Sequence, residues 1–298
     1  MRIRTFEYHS AATLSDALEF LNAYGSDTKV LAGGTDLVLA LKAKKMRPSH
    51  ILNINDISEL AYIRHENSTI RLGPLVNHAR VASDQVILER LPALACATGL
   101  VGSWQLRNIG TLGGNLCNAS PSADSAPPLL AMDATAIVAD SSGEMEIPLR
   151  DFFVGPRSTI LKPNWLLKEV VIPVSEKVSS GVYLKLMRKR AVDVALVGVC
   201  FHAELDDTGG KVARVGIGLG GVAPTPIRAP QAEALLRNMT VSEAVRALPD
   251  AAEAAVAATR AISDIRASAD YRRDIVRVYV KRAGTQVLRT LMSGVAKL

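Results

Sequence analysis

Two glycine pairs sit where a backbone could close on a ligand. Leu31-Ala32-Gly33-Gly34-Thr35-Asp36-Leu37 follows a short apolar run that includes Val30, and Asn108-Ile109-Gly110-Thr111-Leu112-Gly113-Gly114-Asn115 forms a second glycine-dense loop. A polar residue, Thr35 or Asn115, comes directly after each pair. Glycine lets the chain approach a ligand closely and take positive φ, which turns successive N–H groups toward an anion. Thr35 is also placed to open a helix, whose N-terminus adds donors and a favourable dipole for phosphate. Alone, either pair reads more readily as just a turn. Together, with Asp124 downstream as a carboxylate acceptor for hydroxyl or amine donors, they point to a dinucleotide or a similar phosphate-bearing ligand.

Other chemistry is poorly represented. A literal G-x-G-x-x-G at Gly216, Gly218 and Gly221 runs into Val222-Ala223-Pro224-Thr225-Pro226, which cannot open the helix a dinucleotide fingerprint needs, so it reads as a strand-end turn. Cys117 has no histidine near it in sequence and reads as a small residue packed close to the ligand, not as a nucleophile. The three cysteines, Cys96, Cys117 and Cys200, are odd in number and widely spaced, and read as buried free thiols. The five histidines, His9, His50, His65, His78 and His202, contain no H-x-x-x-H pair, so the sequence argues against a protein-built metal site. The lack of an acid/base set fits a protein whose chemistry is carried by a cofactor.

The elements that must position the loops follow from periodicity. Ala12 to Ala23 has helical spacing with Thr13 or Ser15 as caps, Lys29 to Ala32 and His50 to Ile54 read as strands, and Asp36 to Lys44 reads as a helix between them. Strand, glycine turn, helix and strand make a βαβ unit. Beyond it come a strand at Thr69 to Gly73 and a helix over Ile87 to Val101 punctuated by Pro92. A short helix ends near Asp133, a hairpin pairs Thr135 to Ala139 with Met145 to Pro148, and a last strand runs from Leu166 to Ile172. Polar residues Ser175 to Ser180 mark a linker, with a domain boundary near 176. Val182 to Met187, Val197 to Leu205 and Lys211 to Leu219 then read as strands, and everything from Ala229 on as helical.

The chain's 298 residues allow about two domains, and 48% apolar composition can supply a core for each. No stretch approaches the roughly 20 apolar residues of a membrane-spanning helix, and MRIRTFEYHS lacks a signal-peptide pattern, so a cytoplasmic protein is expected. The net charge of +6 is a C-terminal feature: Arg260 to Leu298 carries nine Lys or Arg against three Asp. There Val276, Val280, Ala283, Val287 and Leu291 form one stripe, while Arg272, Arg273, Arg277, Lys281 and Arg289 lie mostly elsewhere. That face reads either as a solvated surface or as a dock for an acidic partner protein. Nucleic acid fits poorly, because aromatics are only 4% of the chain.

Three segments, LAGGTDLVLALK at 31 to 42, QLRNIGTLGGNLCNASPSADSAPPLLAMDA at 105 to 134 and GGVAPTPIRA at 220 to 229, resemble the flavin-binding medium subunit of the molybdenum hydroxylases, the family of carbon monoxide and bacterial xanthine dehydrogenases. The resemblance implies an α+β protein with FAD as cofactor. Its FAD-binding domain would be of the vanillyl-alcohol-oxidase type, residues 1–176, in subdomains of about 1–56 and 57–176. A C-terminal domain, 177–298, would hold a three-stranded antiparallel sheet plus helices. It also implies that Val30, Leu31, Ala32, Gly33, Gly34, Thr35, Asp36 and Leu37 form the first FAD loop, and that Gly110, Thr111, Gly113, Gly114 and Asn115 form the second, followed by Asp124. Leu167 and Lys185 match flavin neighbours of the family, though core packing for Leu167 and a solvated strand charge for Lys185 are the simpler readings.

The cysteine-rich insertion of the hydroxybenzoyl-CoA reductase branch is missing after Cys117, so no metal is implied on this chain. By resemblance, electrons come from an iron–sulfur small subunit, substrate is oxidised on a molybdenum-cofactor large subunit, and the flavin passes electrons to NAD, oxygen, a quinone or another acceptor. The alternatives are a stand-alone flavin reductase of the same fold, which would need an acid near the flavin, and a noncatalytic nucleotide-binding protein.

Overall fold

The computed structural model describes residues 5–189 and 192–295, so 1–4 of the charged N-terminus and Lys297 of the basic tail lie outside the described residues. The chain opens with a three-stranded parallel sheet of β1 (Glu7–Ser10), β2 (Thr28–Leu31) and β3 (His50–Asn53), with β3 in the centre. Between β1 and β2 lies α1 (Leu14–Tyr24), where Thr13 and Asp16 cap each other's backbone in a reciprocal box. Between β2 and β3 lies α2 (Leu37–Lys42), which completes the expected βαβ unit. β1 gave no signal in the sequence because three of its four residues are exposed and no apolar alternation marks it.

A second, five-stranded antiparallel sheet follows. It opens with β4 (Ile63–Glu66) and β5 (Thr69–Leu72), and six helices then intervene before the rest of the sheet. These are α3 (His78–Ser83), α4 (Gln85–Arg90), α5 (Pro92–Gly99), α6 (Trp104–Ile109), α7 (Leu112–Cys117) and α8 (Ala126–Ala131). The expected single helix over 87–101 is two, because Pro92 cannot continue the i→i−4 ladder and instead starts α5, while Asp84 caps α4. The hairpin β6 (Thr135–Asp140) and β7 (Gly143–Pro148) comes next, then α9 (Leu149–Phe152) and the small ladder β8 (Phe153–Gly155) with β9 (Ser158–Thr159). β10 (Leu166–Pro173) completes the sheet in the order β4-β5-β10-β6-β7. Its core gathers Ile70, Leu72, Leu94, Leu112, Leu116, Val138, Phe152 and Val170.

A third sheet joins β11 (Ser179–Leu186), β12 (Val197–Leu205) and β13 (Val212–Gly220) in an antiparallel meander. A two-residue strand, β14 (Ile227–Arg228), extends the expected three strands to four. Helices α10 (Pro230–Ala234), α11 (Val241–Ala257) and α12 (Ala269–Val295) follow, and the irregular segment 258–268 interrupts the helical stretch expected there. The α12 stripe of Val276, Val280, Ala283, Val287 and Leu291 is fully buried, with Val199, Phe201 and Ile217 of the sheet in the same core. Arg272 departs from the expected solvated face. It is buried, its guanidinium donating to the carbonyl of Gly221 at 3.1 Å and to Asp264 at 3.0 Å. Of the three free thiols only Cys200 is buried, since Cys96 is exposed and Cys117 lies between.

The two halves meet main chain against main chain. A Cβ on Gly216 would stand 1.8 Å from the Ala131 carbonyl oxygen, and one on Gly218 2.0 Å from that of Pro127. These glycines therefore face α8 and are seam positions, which corrects their reading as a strand-end turn; only Gly221, with φ +75°, turns the chain. Asp133 below α8 pairs with Arg214 at 2.7 Å and with Arg228, tying the same seam by charge.

Candidate functional site

The two glycine loops come together at van der Waals contact. A Cβ on Gly33 would lie 2.1 Å from the Ile109 carbonyl oxygen and 3.0 Å from the Gly110 Cα, so only glycine permits the approach. Gly34 has φ +69°, which reverses the chain between β2 and α2. Among the described residues, none of the N–H groups from Gly33 through Leu37 donates to an acceptor in the chain, and Asp36 makes no side-chain cap. Five successive free donors at a strand-to-helix turn are the arrangement that suits an anion. The loop is braced from below by Asn55, whose amide donates to the Ala32 carbonyl at 3.0 Å.

The second loop is built differently. It folds into α7, capped by the Thr111 hydroxyl accepting from the Gly114 N–H at 3.0 Å. The Leu112 N–H goes to the Val76 carbonyl at 2.8 Å and the Gly113 N–H to that of Pro74 at 2.9 Å. A Cβ on Gly113 would meet the Pro74 Cβ at 2.4 Å, so this glycine is required by packing. His78 backs the loop: its N–H donates to the Gly110 carbonyl at 3.0 Å, and its ring lies under Gly110. Burial, with Arg107 adding to it, holds the His78 pKa down at about 4, and its Nδ1 has no partner. Asn115 accepts from the Ser125 hydroxyl at 2.7 Å and so fixes the segment that carries Asp124.

Asp124 and Lys185 do not stand apart as two ligand groups. Lys185 Nζ is 2.7 Å from Asp124 Oδ2 and 2.8 Å from the Leu100 carbonyl, and its side chain is fully buried, which replaces the solvated-charge reading. The Tyr183 hydroxyl donates to Asp124 Oδ1 at 2.7 Å. Burial pushes the Asp124 carboxyl up against the opposing pull of Lys185, and burial beside Asp124 pushes the Tyr183 phenol well above its usual value. The trio spans the seam between the halves, with Asp124 on one side and β11 on the other. Tyr183 was missed, although its place two residues before Lys185 on one face of a strand was legible. Leu167 is buried in the core and sits at a register shift of β10 against β6. Burial raises the Cys117 thiol to about 12, which makes it inert.

Comparison with known proteins places this arrangement. Residues 4–175 match the FAD binding domain in molybdopterin dehydrogenase, and residues 182–287 match the CO dehydrogenase flavoprotein C-terminal domain. The chain belongs to this family of FAD-binding subunits. Among its relatives, the carbon monoxide dehydrogenase medium chain of Hydrogenophaga pseudoflava is 34% identical over 93% of this chain and 95% of its own length. The glyceraldehyde dehydrogenase medium chain of Sulfolobus acidocaldarius is 32% identical over 95% and 98%. A solved structure of the Hydrogenophaga pseudoflava carbon monoxide dehydrogenase that lacks the Mo-pyranopterin moiety superposes with a TM-score of 0.90, covering 98% of this chain and 99% of that one. FAD is the cofactor of the family, and the chain is an oxidoreductase subunit of mixed α/β architecture. The residues fit that cofactor: five free N–H groups in succession suit a pyrophosphate, and the positive φ of Gly34 turns the run at the end of β2.

Proposed function

We propose that this chain is the FAD-carrying electron-transfer subunit of a heteromeric molybdenum-containing dehydrogenase, with its domain boundary near residue 176. It would take electrons from the iron–sulfur clusters of a small partner subunit, and a large partner subunit would oxidise the substrate. The terminal acceptor would be NAD, oxygen, a quinone or another oxidant. The observation that carries this reading is the run of unpaired N–H groups from Gly33 to Leu37 against the second loop.

When bound, FAD supplies a ring that exchanges one or two electrons. Within the segment Val30 to Leu37, the free N–H groups of Gly33 to Leu37 would hold the pyrophosphate, and the bracing of Ala32 by Asn55 keeps those donors aimed. Gly110, Thr111, Gly113, Gly114 and Asn115 form a rigid wall behind them, because most of their own N–H groups are already bonded within the fold. Asp124 keeps acceptor capacity beyond its two bonds and Lys185 keeps one N–H, and with both side chains buried these would serve the cofactor only through a local shift of the packing around them. Leu167, buried in the core at the β10 register shift, would be the remaining flavin neighbour in this reading. Among the described residues, no helix is long and apolar enough to cross a membrane.

An absorption spectrum of the purified chain after incubation with FAD, with extraction and identification of the released cofactor, tests the reading. About one FAD per chain and no iron is expected, with bleaching by the substrate only when partner subunits are present; a folded chain that takes up no flavin overturns it. For the docking face, Arg273 and Arg277 are already paired with Asp270, Glu253 and Asp274. Lys281, Arg282 and Arg289 make no ion pair among the described residues and are the cations free to meet an acidic partner. Charge reversal at Lys281 and Arg289 is expected to weaken the complex in a salt-dependent way. Reversal at Arg273 and Arg277 should leave assembly nearly unchanged, as measured by co-purification at graded salt.

A further inference from the structure

Parallel pairing of β1 with β3 sets Glu7 opposite His50, and His9 follows two residues along on the same face as Glu7. Three ligand-type atoms converge there: Glu7 Oε2, His9 Nε2 and His50 Nδ1. Their separations are 3.5 Å for Glu7 to His9, 3.4 Å for Glu7 to His50 and 3.3 Å between the two ring nitrogens. We propose that Glu7, His9 and His50 form a site for one divalent cation of the zinc class.

The triangle is nearly equilateral, and its edges decide the chemistry. Good N–H···O bonds run about 2.7–3.2 Å, so the two edges to Glu7 are longer than hydrogen bonds would make them, and the ring nitrogens stand at the long end of a hydrogen bond. Zinc bonds of about 2.0–2.1 Å in tetrahedral geometry place ligand atoms about 3.3–3.4 Å apart. Adjacent ligands of an octahedral ion with bonds of that length would stand only about 2.9–3.0 Å apart. The donor set, two imidazoles and a carboxylate, is one zinc accepts. Aromatic rings hold the imidazoles in place, Phe20 lying 4.4 Å from the His9 ring and Tyr24 5.0 Å from that of His50, centroid to centroid. The Glu7 side chain is 73% exposed, so the fourth coordination position opens to water.

The cation would staple edge strand β1 to central strand β3. His50 begins β3, whereas the first glycine loop leaves the far end of β2, about 10 Å along the sheet. Metal binding and FAD binding are therefore separable, and this inference does not rest on the assignment of function.

The test uses the full chain without an affinity tag, stripped with a chelator and titrated with Zn2+ by calorimetry and with Co2+ by visible absorption. One equivalent is expected, with the intense d–d bands of tetrahedral Co2+, and Zn2+ should raise the melting temperature. His9→Gln and His50→Gln should each weaken binding by more than the about 10–100-fold that loss of an outer-shell partner costs, with FAD content unchanged. Weak octahedral Co2+ bands, no saturable binding, or equal binding by the His9→Gln/His50→Gln double variant would overturn the site. The cobalt spectrum of the unsubstituted chain keeps the test open if a variant fails to fold.

Discussion

The two glycine loops look alike in sequence and do opposite things in the structure. In the first, Gly33 through Leu37 leave five N–H groups without acceptors, while Gly33 itself makes room for the Ile109 carbonyl of the second loop. In the second, Thr111, Val76 and Pro74 take up the corresponding donors, and Gly113 makes room for Pro74. One loop is a binding surface and the other is the buttress that presses against it. A glycine pair therefore announces close backbone approach, and only tertiary structure says what approaches.

The largest expected difference is between Gly33→Ala and Gly113→Ala. The first puts a methyl group 2.1 Å from the Ile109 oxygen and pries the loops apart, so flavin per folded chain should fall about tenfold or more. The second should cost stability, about 1–3 kcal/mol by urea denaturation, while the folded fraction keeps its flavin. Equal flavin loss in both variants would erase the distinction.

Acid should act on the buttress. Burial holds the His78 imidazole down at about 4, below the ordinary 6.5 of a histidine, so its contribution is fully present above about 6.5 and is lost as pH falls toward 4. Each such histidine steepens the loss by about 1.4 kcal/mol per pH unit in that window, and His202 adds a second share from the C-terminal sheet. Urea midpoints of the His78→Gln variant between pH 7 and pH 5 should show the shallower slope. The smallest effect belongs to Asn55→Ala, which removes the brace under Ala32. About 1 kcal/mol, or roughly fivefold in the FAD dissociation constant, is expected by fluorescence titration.

Much of the scaffold was legible because its signals are local. Thr13 caps α1, the strands of the third sheet begin and end within a few residues of their expected places, and the βαβ unit around Gly33-Gly34 is as read. What escaped depends on contacts between distant segments. Lys185 carries a charge but is buried, because Asp124 and the Leu100 carbonyl meet it across the seam. Gly216 and Gly218 look like a turn until α8 is laid on them. His9 and His50 have no ligand spacing along the chain, and only the pairing of β1 with β3 makes them neighbours.

The glycine face of β13 has a mechanical consequence. Side chains between two layers can change rotamer and slide, but carbonyl oxygens packed onto a bare main chain have no such compliance. The halves should behave as one stiff body that melts in a single step, with no clamshell opening to admit or release a ligand at the Asp124–Lys185 pair.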